Sequence, residues 1–176
     1  YYDEYGNSTQ IDVADWQDEI FQTAFQHDYN LSVSGGDDKG YYSFSGNYAK
    51  QDGTIKNSGY ERYALRANIA RHIYSWLKIG TNQSFTNSTT NFANTLSYNT
   101  GVVRSALLFP PTYGPNTDTT QMDDLNWLAA NPTAYVNSAK DELHSINYFS
   151  SSFVEIKLFP FLKFRQNLGL SYNDSH

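Results

Sequence analysis

From Tyr29 onward, apolar and polar side chains trade places with a period of two. Tyr29, Leu31 and Val33 alternate with Asn30, Ser32 and Ser34. Tyr42, Phe44 and Tyr48 alternate with Tyr41, Ser43, Ser45 and Asn47, and Tyr63, Leu65, Ala67 and Ile69 face away from Arg62, Arg66 and Asn68. Leu77, Ile79 and Phe85 oppose Lys78, Asn82 and Ser84. Tyr148, Val154, Ile156 and Leu158 oppose Phe149, Ser151, Phe153, Glu155 and Lys157. Leu162, Phe164, Leu168, Leu170 and Tyr172 oppose Lys163, Arg165, Asn167 and Ser171. Successive side chains of a strand point to opposite faces, so the pattern predicts six strands, over 29–35, 41–50, 62–71, 76–86, 147–158 and 162–173. Ahead of them, residues 1–14 are polar and turn-rich. Asp15 then offers an N-cap, Asp18 and Glu19 fill the first turn, and Trp16 and Ile20 stand at i,i+4. These features predict a short surface helix over about 15–24 with one packed face.

The phases differ in charge. The apolar positions named above carry none, whereas the opposite phase carries Arg62, Arg66, Lys78, Glu155, Lys157, Lys163 and Arg165. A half-buried sheet in water shows the same contrast. It does not usually add strands of ten or more residues with aromatic rings toward their ends. Tyr29, Tyr42, Tyr48, Tyr63, Phe85, Tyr148 and Tyr172 fall near predicted strand ends on the apolar phase, where amphipathic rings suit a boundary between hydrocarbon and headgroup. The connections alternate as well: short at 35–40, longer at 51–61, short at 72–75, very long at 87–145 and tight at Phe159-Pro160-Phe161. Outer-membrane barrels have short turns on one side and long loops on the other.

Composition agrees. Aromatic residues make up 16% of the 176 residues and charged ones 17%, below the ~25% of ordinary soluble domains. The net charge of −6 argues against a nucleic-acid surface. The absence of cysteine removes disulfides, thiolate metal sites and thiol nucleophiles. No apolar run is long enough for a membrane-spanning helix. The ends, YYDEYGN and SYNDSH, are expected to be cut from something longer, with no leader peptide or lipidation motif between them. His27, His72, His144 and His176 are scattered, and no nucleophile elbow, phosphate loop or dinucleotide fingerprint occurs. No enzyme activity and no cofactor is therefore expected. The expected division is a lead-in over 1–28, four strands over 29–86, a long extracellular or lumenal loop over 87–145, and two strands over 146–176.

Several blocks carry a resemblance. Asp15-Trp16-Gln17-Asp18-Glu19-Ile20-Phe21 precedes a strand ending in Ser34-Gly35-Gly36. Gln51-Asp52-Gly53-Thr54-Ile55-Lys56-Asn57 leads into Glu61-Arg62-Tyr63-Ala64-Leu65-Arg66-Ala67-Asn68. Leu107-Leu108-Phe109-Pro110-Pro111-Thr112-Tyr113 and Asn131-Pro132-Thr133-Ala134 follow. Together they resemble the early barrel of SusC/RagA-type TonB-dependent transporters of Bacteroidetes outer membranes, over about Asp15 to Tyr172. The resemblance implies an all-β, antiparallel transmembrane β-barrel segment: about six strands of a roughly 22-stranded barrel, with a short N-terminal helix and one long extracellular loop. It also implies import of glycans or oligopeptides, a SusD-like surface lipoprotein as partner, coupling to TonB through a plug region absent here, and a bacterial outer membrane. Two rivals stand beside it: a SusC-like barrel serving as a structural subunit of an outer-membrane complex, and a soluble carbohydrate-binding β-sandwich.

The candidate solute contacts follow from the phases. Arg62 and Arg66 can hydrogen-bond sugar hydroxyls or a peptide carboxylate, or pair with plug carboxylates. Phe149 and Phe153 are apolar on the polar phase, suited to packing against a plug or stacking on sugar rings. In the long loop, Tyr98, Tyr113 and Trp127 can shelve a substrate or form the loop's own core. No metal site is expected: Asp118, Asp123 and Asp124 lack calcium-loop spacing.

Overall fold

A computed structural model describes residues 13–93, 101–115, 131–138 and 141–176. Its six strands are β1 (Gln26–Asp37), β2 (Gly40–Asp52), β3 (Gly59–Tyr74), β4 (Leu77–Phe92), β5 (Asp141–Phe159) and β6 (Leu162–Ser175). They form one antiparallel sheet in sequence order. Among the described residues all six strands belong to this one sheet. The three short connections tighten to two residues. Asp37 pairs with Gly40 around Asp38-Lys39, and Lys39 N donates to Asp37 Oδ1 at 3.0 Å. Ser75-Trp76 separates β3 from β4, and Phe159 pairs with Leu162 around Pro160-Phe161.

The strands outrun the predicted ones. Residues 87–92 and 141–145, expected in the long loop, extend β4 and β5, and residues 26–28 extend β1 from the expected lead-in. Polar and charged residues dominate these ends, as in Asn87-Ser88-Thr89-Thr90-Asn91, Asp141-Glu142 and Gln26-His27-Asp28, so their apolar alternation is weak. Cross-strand pairing carries them instead, as in the mutual backbone bonds of His144 and His176 at 2.8 and 3.0 Å.

The pairing places the apolar phase of every strand on one face: Tyr29 is opposite Tyr48, Tyr48 opposite Tyr63, Phe44 opposite Ala67, Tyr148 opposite Tyr172 and Ile156 opposite Phe164. That face is uncovered, with Leu31 80% and Leu168 73% exposed. The longer strands also bring charges onto its margins. Asp37 and Arg71 form an ion pair at 3.3 Å beside the β1–β2 turn. Toward the opposite ends, Tyr48 and Tyr63 both donate to Glu61 Oε1 at 2.8 Å.

The second compact unit comprises the described parts of Tyr1–Ala24, Gly53–Ser58 and Asn91–Asp141. Helix α1 (Trp16–Ile20) is shorter than predicted. Asp15 caps it, accepting from Gln17 N at 3.0 Å, but Phe21 turns extended and bridges to Ile55, while Gln22 N donates to Thr54 O at 2.9 Å. Helices α2 (Val102–Leu108) and α3 (Pro132–Ser138) also belong to this unit. Asn131 caps α3 by accepting from Thr133 N at 3.0 Å, and Pro132 supplies a first-turn residue that needs no N–H.

The core of this unit is Trp16, Ile20, Ile55, Val102, Ala106, Phe109 and Val136. Trp16 Nε1 donates to Pro110 O at 3.1 Å, and the Trp16 and Phe109 rings meet edge to face at 5.0 Å. Asn57, at φ 62, donates from its side chain to Val136 O at 3.3 Å. Four blocks that looked like separate motifs in the sequence thus pack on one another. Described residues of the expected lead-in and of the expected long loop share one core.

Candidate functional site

The polar face of the sheet holds the candidate site in two groups. The first spans β1, β2 and β3. Asp28 Oδ1 accepts from Asn30 Nδ2 at 2.7 Å and from Asn47 Nδ2 at 2.8 Å. Asn47 Nδ2 also reaches Asn30 Oδ1 at 2.8 Å, and Arg62 Nη2 donates to Asn47 Oδ1 at 2.8 Å. An amide thus stands between a carboxylate and a guanidinium and orients both. Arg62 Nε is buried and has no hydrogen-bond partner. A guanidinium held this way presents its remaining N–H donors in a fixed fork, suited to a carboxylate or to paired hydroxyls. Arg66, opposite Ser45, is exposed and joins no ion pair among the described residues.

The second group lies on β5 and β6. Glu155 sits between Lys163 Nζ at 3.7 Å and Arg165 Nη1 at 3.8 Å. Arg165 Cζ lies 4.1 Å from the centre of the Phe153 ring, and Arg165 Nε donates to Asn167 Oδ1 at 3.2 Å. Phe153 also covers Gly80: a Cβ there would stand 2.6 Å from Phe153 Cζ and 3.1 Å from Ile69 O. The Phe153 ring therefore packs between backbone and guanidinium, whereas Phe149 is 47% exposed. Replacing Gly80 by Val should displace Phe153 and cost about 1–3 kcal/mol by overpacking. Denaturant unfolding of the purified full-length protein in micelles, followed by Trp fluorescence, measures it; an unchanged midpoint would show the ring moves freely.

The sequence-predicted residues distribute unevenly. Arg62, Arg66, Phe149 and Phe153 share the polar face. Tyr113 lies in the other unit, partly buried with its ring 6.0 Å from Phe109, where it serves that unit's core. Tyr98, Trp127, Asp118, Asp123 and Asp124 lie outside the described residues. Asp28, Asn30 and Asn47 were missed as a group. Asn47 was visible on the phase of Arg62, but Asp28 fell before the predicted strand start.

On the apolar face, Tyr29, Tyr48 and Tyr63 form a row just inside the strand ends, Tyr29 stacked on Tyr48 at 6.3 Å and Tyr63 tilted against Tyr48 at 4.9 Å. Tyr42 covers Gly35 toward the opposite end, and Tyr172 lies near the end of β6. Phe85 and Tyr148 differ from expectation, because β4 and β5 continue past them and leave both in strand interiors. Tyr148 donates to Gln83 Oε1 at 2.6 Å, and Gln83 Nε2 donates to Ser150 Oγ at 2.8 Å. Thr81 and Ser152 pair beside them at 2.9 Å. Polar groups on this face thus bond to one another. The short turns carry their own stacked rings, Tyr74 with Trp76 at 5.4 Å and Phe159 with Phe161 at 5.6 Å; the alternation assigned Tyr74, Phe159 and Phe161 to connections and Trp76 to the start of a strand.

No protein-family model matches the chain. It is 32% identical over 168 residues to TonB-dependent receptor P3 of Formosa agariphila, covering 89% of this chain and 16% of that protein. It is 34% identical over 82 residues to TonB-dependent receptor SusC of Bacteroides thetaiotaomicron, covering 46% of this chain and 8% of that protein. In fold it is similar to a chain of the RagAB peptide transporter structure, with a TM-score of 0.67 and 23% identity over 93% of this chain and 19% of that one. The chain thus spans about a sixth of P3 and a fifth of the solved chain.

Proposed function

We propose, from the premise that this chain is a barrel-wall segment of a SusC/RagA-type TonB-dependent receptor, that the parent protein imports glycans or oligopeptides across the outer membrane with a SusD-like surface lipoprotein. The observation that carries the membrane reading is the width of the apolar face. Ten residue steps separate Glu61 from Arg71, and Tyr63, Leu65, Ala67 and Ile69 fill the apolar phase between them. At about 3.4 Å per residue and a tilt near 40°, that span is about 26 Å tall, the height of the lipid-facing band of outer-membrane barrels. The opposite face then borders the lumen, and Arg62, held by Asn47 and Asp28, offers donors to a passing solute. P3 and SusC are both named as TonB-dependent receptors, and RagAB as a peptide transporter, which supports import as the parent's activity.

Energised uptake by cells carrying the full-length receptor tests this reading. Uptake should vanish when TonB is deleted. A barrel that assembles but never supports TonB-dependent uptake would favour the structural-subunit reading. Within that assay, Arg62→Ala should lower uptake about tenfold at limiting solute, the scale of one lost hydrogen bond to a charged group. Unchanged uptake would assign Arg62 to holding the wall alone.

A further inference from the structure

The charges of the sheet unit divide by face. The polar phase carries Arg62, Arg66, Lys78, Lys157, Lys163 and Arg165 against Asp28, Glu155 and, at the start of β5, Asp141. On the apolar phase the balance reverses, with Asp37, Asp52, Glu61, Glu142 and Asp174 against Lys50 and Arg71, all toward the strand ends. A basic polar face in a chain of net charge −6 is not an average of the composition. Where low-dielectric walls surround water, charges of one sign focus the field and raise the local concentration of the opposite ion.

The cations lie beside a strip with further chemistry. Phe149, Ser151, Phe153, Glu155 and Lys157 follow one another on β5, opposite Ser171, Gly169, Asn167, Arg165 and Lys163 on β6. At one end is the open ring of Phe149. Next comes a floor of small residues, Ser151 opposite Gly169, where an added Cβ would meet nothing closer than Ser150 O at 3.9 Å. At the other end are Lys157, Lys163 and Arg165 around a single carboxylate. Lys157 has no ion-pair partner among the described residues, and Lys163 and Arg165 share Glu155 with side chains 63% and 51% exposed. An aromatic platform, a hydroxyl-bearing floor without bulk, and cations in excess, spread over about 20–27 Å of strand, together match a chain of rings that carry hydroxyls and acid groups.

We propose that this strip is a wall subsite for an acidic oligosaccharide, a carboxylated or sulfated glycan, with Phe149 stacking on a sugar ring and Lys157, Lys163 and Arg165 receiving the acid groups. The proposal rests on the import reading above and narrows its solute. An acidic peptide satisfies the cations but leaves the Phe149 platform and the open Ser151–Gly169 floor without a use.

Calorimetric titration of the purified full-length receptor in micelles tests it with three probes: an oligogalacturonate, a neutral malto-oligosaccharide of equal length and an oligoglutamate. The oligogalacturonate should bind most tightly and weaken steeply as salt rises. The double variant Lys163→Gln/Arg165→Gln should weaken it about tenfold, the scale of one or two exposed charge contacts, and flatten the salt dependence. Phe149→Ala should weaken it at every salt concentration. Assembly of each variant is checked by the heat-dependent shift of a folded barrel on gels. Equal binding of the neutral sugar, preference for oligoglutamate, or indifference to both variants would overturn the subsite. TonB-dependent uptake of a neutral solute alone would do so too while leaving the import reading intact; loss of all TonB-dependent uptake would instead remove the import reading.

Discussion

An arginine in place of Leu65 should remove about 2–4 kcal/mol of stability from the membrane-inserted barrel. Leu65 lies on the apolar phase of β3, near the middle of the span between Glu61 and Arg71, and is 60% exposed. If that face meets hydrocarbon, the guanidinium must be desolvated or must distort the bilayer to reach water. The same substitution at Asn68, on the opposite phase, meets water and should cost less than about 1 kcal/mol. Denaturant-dependent folding of the full-length receptor into lipid vesicles compares the two. Equal costs would mean that the faces are not divided between lipid and water, and the membrane reading would fail with them. The contrast between two positions on one strand matters more than either value, because both introduce the same guanidinium near mid-strand, one on each face.

Truncating Trp16 to Ala should cost the helical unit about 3–5 kcal/mol, the usual range for a large aromatic deleted from a core. Trp16 is 3% exposed, touches Phe109 edge to face, and places its indole N–H on Pro110 O. Its loss opens a cavity and also leaves that carbonyl with only the longer bond from Tyr113 N at 3.4 Å. The unit is small, so such a loss approaches its whole stability. Limited proteolysis of the folded receptor reads the effect: cleavage within residues 91–141 should accelerate while the strands stay protected. Trp16→Phe should restore much of the protection, since it refills most of the volume but not the hydrogen bond. If Trp16→Ala leaves the cleavage rate unchanged, the packed unit does not hold these residues in solution.

These outcomes bear on how much was legible beforehand. The six strands, their faces and the alternation of short and long connections could be read from the order of residues, since alternation is a property of neighbouring positions. Strand ends could not. Residues 141–145 and 87–92 have no apolar rhythm and are strands because a partner strand pairs with them. The aromatic rows were half legible: Tyr29, Tyr48 and Tyr63 fall where expected, while Tyr74, Trp76, Phe159 and Phe161 stack at turn tips that interrupt the alternation. Among the candidate contacts, Arg62 was visible as a charge on the polar phase. Its hold by Asn47 and Asp28 was not, because the three residues lie on different strands and meet only when the register is set.

Local periodicity alone therefore determined a two-faced sheet, because side-chain direction in a strand depends only on odd and even position. What each motif block is for was decided by tertiary structure. Trp16 and Pro110 are joined by a hydrogen bond across a sequence separation of 94, and Asn57 reaches Val136 across 79. Contacts across such separations join segments far apart in the chain, and no reading of neighbouring positions contains that closure.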